Sequence, residues 1–518
     1  MRDGDAAAGR TGGAAAERAG AALYVGLDLG TSSLKGVVLD AQGRAVAEVR
    51  RAYETARPGA GRAEQDPLDW TAAARSALAA LAAATPATDW AGIGLSGMIP
   101  TLVTVDADLR PVGPAFTWED CRAHAEAEEI AAKVGEIDLY QRTGQPMDGR
   151  YLLPMYAWIH RHDPERAART TLVLGAKDYL FSWLTGQLAT DPSTASGYGG
   201  YDLVRGTWMA DVAALAGATA SGGGAGRPGL PPVVPSTATW PLEQRLALDL
   251  GLPEGLPVCA GAADSVLAAQ ALDAVTPGAV AYVWGTSTVI LGAGDDVTVD
   301  PERRCLITPL AVGGWGTEMD LVSTGAAVAW LSRLLGFGDD GQAKVFAAAA
   351  AAADELVPAA LPFVGVGEQG ALWDADVRGT FVGLDLSHGP GDLARAMLDG
   401  IVLESRRCLA RLQELGLPQG DVRVAWRGAD PWFCQRLADA SGRTVIAGDP
   451  ATSSSAAGAA RLAAIAVGAE LPAAAGGSLR STPDRAASRT WDRRWREYEK
   501  LLAPLRRAYR TWPDKREV

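Results

Sequence analysis

Cysteine is scarce in this chain, with five residues in 518, at Cys121, Cys259, Cys305, Cys408 and Cys434. None forms a C-x-x-C pair and the total is odd, which argues against a disulfide framework and against a cysteine zinc site. The four histidines, His124, His160, His162 and His388, show no metal-binding spacing. There is no long charge-free apolar run. Residues 1–21 mix charges with glycines and read as a disordered leader, neither a signal peptide nor an anchor. No stripe dense in Lys and Arg precedes the C-terminal tail and the formal net charge is −13, so neither a nucleic-acid nor a membrane partner is expected. These absences point to a cytoplasmic protein whose partner is a small molecule.

What is present begins with Leu23-Tyr-Val-Gly-Leu-Asp28-Leu-Gly30-Thr31-Ser32-Ser33-Leu-Lys35. Leu23, Val25, Leu27 and Leu29 alternate with Tyr24, Gly26, Asp28 and Gly30. One strand face is therefore apolar, and the other carries a carboxylate among residues without side chains, a bare face with room for a ligand. The turn supplies backbone N–H groups and three hydroxyls, and Lys35 opens a returning strand that closes at Asp40-Ala-Gln-Gly43. A magnesium nucleotide needs such a set, with a carboxylate for the metal or its waters and donors for phosphate oxygens. An ordinary hairpin with a Gly-rich turn has the same pattern.

At roughly 150 residues per domain the chain is too long for one core, and two large lobes are expected. After the hairpin a helix is predicted over 72–84, capped by Asp69 or Thr71, with strands at 92–96, 102–106 and 114–118. Helices then dominate from Cys121 to about Leu184. The Gly/Ser/Pro-rich segment 218–235 reads as a flexible surface insertion. A second α/β half opens at Pro257, with a helix to Val275, a strand over 279–284 and the turn Gly285-Thr286-Ser287. Helices follow at 325–335, 343–356, 392–415, 456–467 and, in the charged tail, 492–509.

Three groups are candidates for chemistry. Asp264 lies between small residues and an apolar helix, surroundings that raise a carboxylate's affinity for protons and suit a general base; the same position suits a helix cap. Gly285-Thr286-Ser287 offers donors to phosphate. Trp118-Glu119-Asp120-Cys121-Arg122 places an acid and a cation where they would grip polyol hydroxyls or form a solvated surface pair.

These pieces occur in an order that resembles the FGGY family of carbohydrate kinases, over about Tyr24 to Leu502. The stretch from Gly379-Thr-Phe-Val-Gly383 through Asp392 and Ala396 to Asp399 follows that family's second signature. Thr190-Asp191 through Ala195-Ser196-Gly197 resembles another family stretch, and Ser323-Thr-Gly325 and Gly428-Ala-Asp-Pro-Trp432 look like its nucleotide-side elements. The resemblance implies an α/β, two-lobed actin/hexokinase-like (ribonuclease H-like) fold with an interlobe active-site cleft. It implies a sugar-side lobe at 22–256, a nucleotide-side lobe at 257–475 and a charged helix or tail at 476–518.

It also implies ATP and Mg2+ as cofactors and a small sugar as acceptor, most often a pentulose such as xylulose or ribulose. A homodimer is compatible with it. Asp264 would take the proton of the attacking hydroxyl and Asp28 would hold the magnesium through its waters. Thr31, Ser32, Lys35, Gly285 and Thr286 would meet phosphate oxygens, with Gly325, Gly428 and Ala429 bordering the adenosine. Met98, Ile99, Trp118 and Asp120, with Asp264, would meet the sugar.

The chain departs from the pattern at three places. Xylulose kinases read S-G-Q-M-H-G where this chain has Ser96-Gly97-Met98-Ile99-Pro100-Thr101, so a proline replaces the histidine that helps hold the sugar. The lysine of the first signature is missing from Pro154-Met155-Tyr-Ala-Trp158, and a triple glycine is reduced to Trp426-Arg427-Gly428. Alternatives are therefore a polyol or unusual ketose as acceptor, or a silent sugar or nucleotide sensor, against which intact Asp28 and Asp264 argue.

Overall fold

The structure is a computed structural model, described for residues 22–223, 227–338, 341–353, 359–365, 370–374, 376–425, 429–449, 452, 454–473 and 479–511. The expected leader 1–21 lies outside that set. The chain divides into two compact units: Met1–Ala271 with Thr308–Gly313 and Ala451–Ala475, and Leu272–Ile307 with Gly314–Pro450 and Gly476–Val518. The segment 257–271, expected to open the second lobe, thus packs within the first unit, as does the distant segment 451–475.

The first unit is built on strands β1 (Leu23–Leu29), β2 (Ser33–Leu39), β3 (Ala45–Ala52), β4 (Trp90–Gly97), β5 (Thr239–Pro241), β6 (Pro257–Cys259) and β7 (Ala262–Ala263). Their order is β5-β6-β4-β1-β2-β3, with β7 also paired to β4. The hairpin predicted at the start of the chain is the antiparallel β1–β2 pair, with Asp28 opposite Lys35. β4 runs parallel to β1, β6 and β7. Val25, Leu27 and Leu29 share a core with Trp70, Ala74, Leu78 and Leu81 of the helix Pro67–Ala84. That helix starts earlier than predicted, because Asp66 caps it by accepting from the Leu68 N–H and Pro67 fits the first turn, where its missing N–H costs nothing.

The opposite face of β1 corrects the sequence reading. A helix, Ser455–Ala466, lies against Gly26 so closely that a methyl group there would sit 1.8 Å from the Ala456 carbonyl oxygen. At Gly94 of β4 the corresponding distance, to the Ala459 carbonyl oxygen, is 1.9 Å. The bare residues along this part of the face therefore make room for a helix backbone, where a ligand had been expected. Tyr24, Val37 and Leu39 close the layer against Ala456, Ala457, Ala460 and Ala464.

Beyond this sheet, Leu102–Val105, Ala115–Phe116, Glu64–Gln65 and Leu172–Gly175 form a four-stranded sheet. Phe116, Ile130, Leu139, Tyr156 and Ile159 share a core with it. The predicted strand 114–118 shrinks to two residues. The described parts of 218–235 are tied down, unlike the expected flexible insertion: Gly229 donates to the Thr171 carbonyl at 2.9 Å, Val173 donates to that of Gly229 at 3.1 Å, and Leu230 is buried. Its backbone continues the Leu172–Gly175 edge and so satisfies its own polar groups.

The second unit repeats the plan with β8 (Val280–Trp284), β9 (Thr288–Gly294), β10 (Trp315–Leu321), β11 (Val422–Ala425), β12 (Val445–Ala447) and β13 (Leu479–Ser481). Here β10-β9-β8 is an antiparallel meander, and β11 and β12 add parallel to β8, as β4 and β6 do beyond β1. The predicted helices appear at Gly325–Leu334, Gln342–Ala351, Pro390–Glu414 and Arg485–Arg510. The helix predicted over 343–356 ends at Ala351, with Ala352 extended, and 354–356 lie outside the described residues. The last helix docks through Arg494, which donates to the buried carboxylate of Asp399 at 2.9 Å.

Candidate active site

Asp28 stands near the carboxyl end of β1 and is buried. Its Oδ1 accepts from the Ser96 hydroxyl at 2.8 Å, and its Oδ2 lies 3.5 Å from the half-exposed Lys35 ammonium. Thr31 is held on both sides, its hydroxyl accepting from the Trp118 indole N–H at 2.8 Å and its carbonyl from Gln65 Nε2 at 2.6 Å. Ser32 is exposed beside it, with its hydroxyl 3.5 Å from Arg50 Nη2. The Tyr53 hydroxyl bonds the Gly30 carbonyl. Burial, with the Asp28 charge nearby, holds that phenol protonated well above its ordinary range. The turn thus keeps Asp28, Lys35 and two hydroxyl residues in one fixed patch.

Asp264 begins the helix Asp264–Ala271 and is partly buried, with Oδ1 accepting from the Ser265 N–H at 2.9 Å. Sheet register relates it to Asp28. Asp28 pairs with Ser96 from one side of β4 and Ala262 pairs with Ser96 from the other. At about 4.8 Å per strand spacing, Asp28 and Ala262 stand roughly 10 Å apart across Ser96, and Asp264 follows two residues beyond the strand end. Both carboxylates therefore emerge at the carboxyl ends of parallel strands, where α/β sheets place ligands. Gly261 makes the approach feasible: its φ is +80°, and a methyl there would lie 2.1 Å from the Leu95 carbonyl.

Met98 continues β4, donating its N–H to the Leu29 carbonyl at 2.9 Å, and is buried; Ile99 is half-buried. Asp120 is fully buried and takes four N–H donors: Ala63 at 2.8 Å and the backbone, Nε and Nη2 of Arg122 at 3.1, 2.8 and 2.6 Å. Arg122 bonds Glu64 as well and lies over the Phe116 ring. The acid and cation, expected to grip polyol hydroxyls or to form a solvated surface pair, are instead an interior brace for the Trp118 loop, and the Asp120 carboxylate expected to meet the sugar is taken by Ala63 and Arg122. Among the described residues no group of three His, Cys, Asp or Glu side chains forms a metal cage. A single hard carboxylate with lone pairs to spare suits Mg2+, which keeps several waters and takes further ligands from phosphates.

In the second unit, Gly285 and Thr286 form an exposed turn beyond β8. The Ala326 N–H donates to the Thr286 carbonyl at 3.0 Å, and Gly325 is needed because a methyl there would lie 2.2 Å from the Gly285 carbonyl. The first turn of the helix Gly325–Leu334 thus abuts the predicted phosphate turn. Val283 pairs with Ala425 in parallel β11, so Ala429 follows the neighbouring strand end. Asp430, next in sequence, caps the helix Pro431–Ser441. Gly428 lies outside the described residues.

Residues 23–271 match the FGGY family of carbohydrate kinases, N-terminal domain, and residues 280–467 match its C-terminal domain. The chain belongs to the FGGY family of carbohydrate kinases. It is 29% identical to the xylulose kinase of Klebsiella pneumoniae over 480 residues, covering 92% of this chain and 96% of that one. It is 31% identical to the glycerol kinase of Bordetella pertussis over 473 residues, 86% and 89% of the two chains. The crystal structure of xylulose kinase from Rhodospirillum rubrum superposes with a TM-score of 0.85 at 30% identity, covering 94% of this chain and all of that one. The protein is accordingly a phosphotransferase with an alcohol group as acceptor. No described helix is long and apolar enough to cross a membrane.

Sequence reasoning overlooked Ser96, whose hydroxyl orients the Asp28 carboxylate, and the buried Lys177. A lysine and aspartate inside the apolar run Leu172 to Leu180 were the available signal, since charge is rarely placed there without a partner.

Proposed function

We propose that this kinase transfers the γ-phosphoryl group of ATP to a hydroxyl of a pentulose such as xylulose or ribulose. The observation that carries the reading is the shared register of Asp28 and Ala262 on Ser96, which presents two carboxylates at strand ends on either side of β4. Asp264 accepts the proton of the acceptor hydroxyl as its oxygen bonds phosphorus and the bond from phosphorus to the departing ADP oxygen breaks. Mg2+, when bound with the nucleotide, offsets phosphate charge. Asp28 would hold it, with Ser96 fixing the carboxylate's orientation. Thr31, Ser32 and Lys35 take phosphate oxygens in the first unit, and the Gly285-Thr286 turn does so in the second. Gly325, Gly428 and Ala429 border the adenosine. Met98, Ile99 and Trp118 face the acceptor; Asp120, expected as a sugar ligand, has its carboxylate taken by Ala63 and Arg122 and acts instead by fixing the Trp118 loop. The cytoplasm is the proposed compartment.

A second reading, a polyol or unusual ketose as acceptor, is favoured by Pro100, which has no N–H and no polar side-chain atom to offer a sugar oxygen. ADP release measured with Mg2+ and ATP across pentuloses, hexuloses, aldoses, polyols and glycerol separates the two. Asp264→Asn should lower kcat on the active acceptor by about 10² to 10⁴-fold with ATP affinity retained. Full turnover in that variant refutes the assignment of the base.

A further inference from the structure

Lys177 is fully buried at the first turn of the helix Ala176–Thr185, where Gly97 leaves space for it. Its ammonium meets Asp178 Oδ1 at 2.9 Å, the Ala260 carbonyl at 2.8 Å and Asp191 Oδ1 at 3.3 Å. The other Asp191 oxygen accepts from the Ser193 N–H at 2.9 Å, from the Ser193 hydroxyl and from the Ser236 hydroxyl at 3.2 Å. Because the Ser193 hydroxyl gives its hydrogen to Asp191, its lone pairs are free for the Ala263 N–H, which donates to it at 2.9 Å.

Two ends of one chain of charges therefore grip one segment, Lys177 at Ala260 and Ser193 at Ala263, immediately before Asp264. All three ionisable groups are buried, and an apolar core of the same volume avoids their desolvation cost. Stability alone is thus a poor reason for the arrangement, whereas fixing a backbone to within a fraction of an ångström is what such networks do well.

We propose that Lys177, Asp191 and Ser193 position the Asp264 carboxylate by locking the peptide N–H of Ala263. Ser193 is the last link and touches no reacting atom. This rests on the reading of Asp264 as general base.

The test is Ser193→Ala, which removes the acceptor of the Ala263 N–H, compared with Ser193→Thr, which keeps a hydroxyl, and Ser236→Ala, which removes a donor to the same carboxylate but leaves the Ala263 contact. Steady-state kinetics on the active acceptor and thermal melts are measured for each, with Asp264→Asn alongside. Ser193→Ala should lose about 10 to 10²-fold in kcat, the scale of a misplaced catalytic group, while KM for ATP stays within about twofold. Ser193→Thr should recover most of that loss, and Ser236→Ala should keep kcat even where its melting temperature falls as far. If kcat in Ser193→Ala stays within about threefold, or falls equally in Ser236→Ala, the positioning role is refuted. Should Ser193→Ala fail to fold, Ser193→Cys preserves volume with a poor acceptor and carries the same comparison. Loss of activity in Asp264→Asn with none in Ser193→Ala sinks only the positioning; full activity in Asp264→Asn sinks the base itself.

Discussion

Gly26→Ala adds one methyl group to a buried strand, and its cost can be worked from the packing. The new carbon would lie 1.8 Å from the Ala456 carbonyl oxygen and 2.6 Å from the Ala460 nitrogen. Both are backbone atoms of a helix, so neither can swing aside as a side chain would. Relief to an ordinary contact of about 3.4 Å requires the helix Ser455–Ala466 to move by roughly 1.5 Å. Overpacking a filled core costs about 1 to 3 kcal/mol, and a rigid neighbour places this case at the upper end, ~3 kcal/mol. For a unit of roughly 300 residues, at about 2.1 cal/mol/K per residue of unfolding entropy, the melting temperature should fall by about 5 °C. Gly222→Ala is the matched control, since a methyl there meets nothing within 4 Å. It should leave the melting temperature unchanged or slightly higher. Activity is the second readout: the same helix bonds the Asp264 carbonyl through the Ser455 hydroxyl at 3.0 Å and packs its Gly458 against Leu267. A shifted helix should therefore lower kcat at temperatures where the variant is still folded. A Gly26→Ala protein that melts within about 1 °C of the parent would refute the close packing from which the cost was derived.

Lys177→Met leaves the Asp178 and Asp191 carboxylates buried without their cation and should destabilise the fold by about 3 to 5 kcal/mol, read as a lower denaturant midpoint with unchanged slope. Asp300 provides a test by pH. Burial alone would raise its pKa, but the Arg304 side chain and the Arg304 and Glu302 N–H groups outweigh that and hold it below the ordinary value of 3.8. Its stabilising contribution is therefore complete above about pH 4 and lost as pH falls through the lower folded value. Asp300→Asn should be less stable than the parent at pH 7, and the gap should narrow as the pH falls below about 4; a gap independent of pH contradicts the assignment.

The hairpin was readable because alternation over Leu23 to Leu29 fixes which face is apolar, and the ordered motifs around Asp28, Asp264 and Gly285 carried the family. The identity of what fills a space was not readable. Glycine at 26 and 94 says that something comes close; it does not say whether that is a ligand or a helix from the far end of the chain. The helix at 455–466 was expected, but an Ala-rich pattern carries no address, so its membership of the first unit could not be seen. Asp120 misled because a Trp-Glu-Asp-Cys-Arg string offers a carboxylate to a sugar or to solvent alike, and only the fold turns Arg122 back over Phe116 and onto that carboxylate. The cap of the first long helix was misplaced because Asp69 also satisfies the local rule, and Pro67 decided in favour of Asp66. Lys177 and Asp191 meet across elements, which no local pattern predicts.

Strands β1 and β4 are completed by a helix that the ribosome makes long after them. With ribosomes adding about 5 to 20 residues per second, the Gly26 and Gly94 face waits on the order of tens of seconds for Ser455–Ala466 to emerge. During that interval a strip of bare β-sheet is open to other chains. A truncation after Ala271 would make the wait permanent, so the segment up to that point should aggregate when expressed alone. Supplying 451–475 as a separate peptide should rescue it.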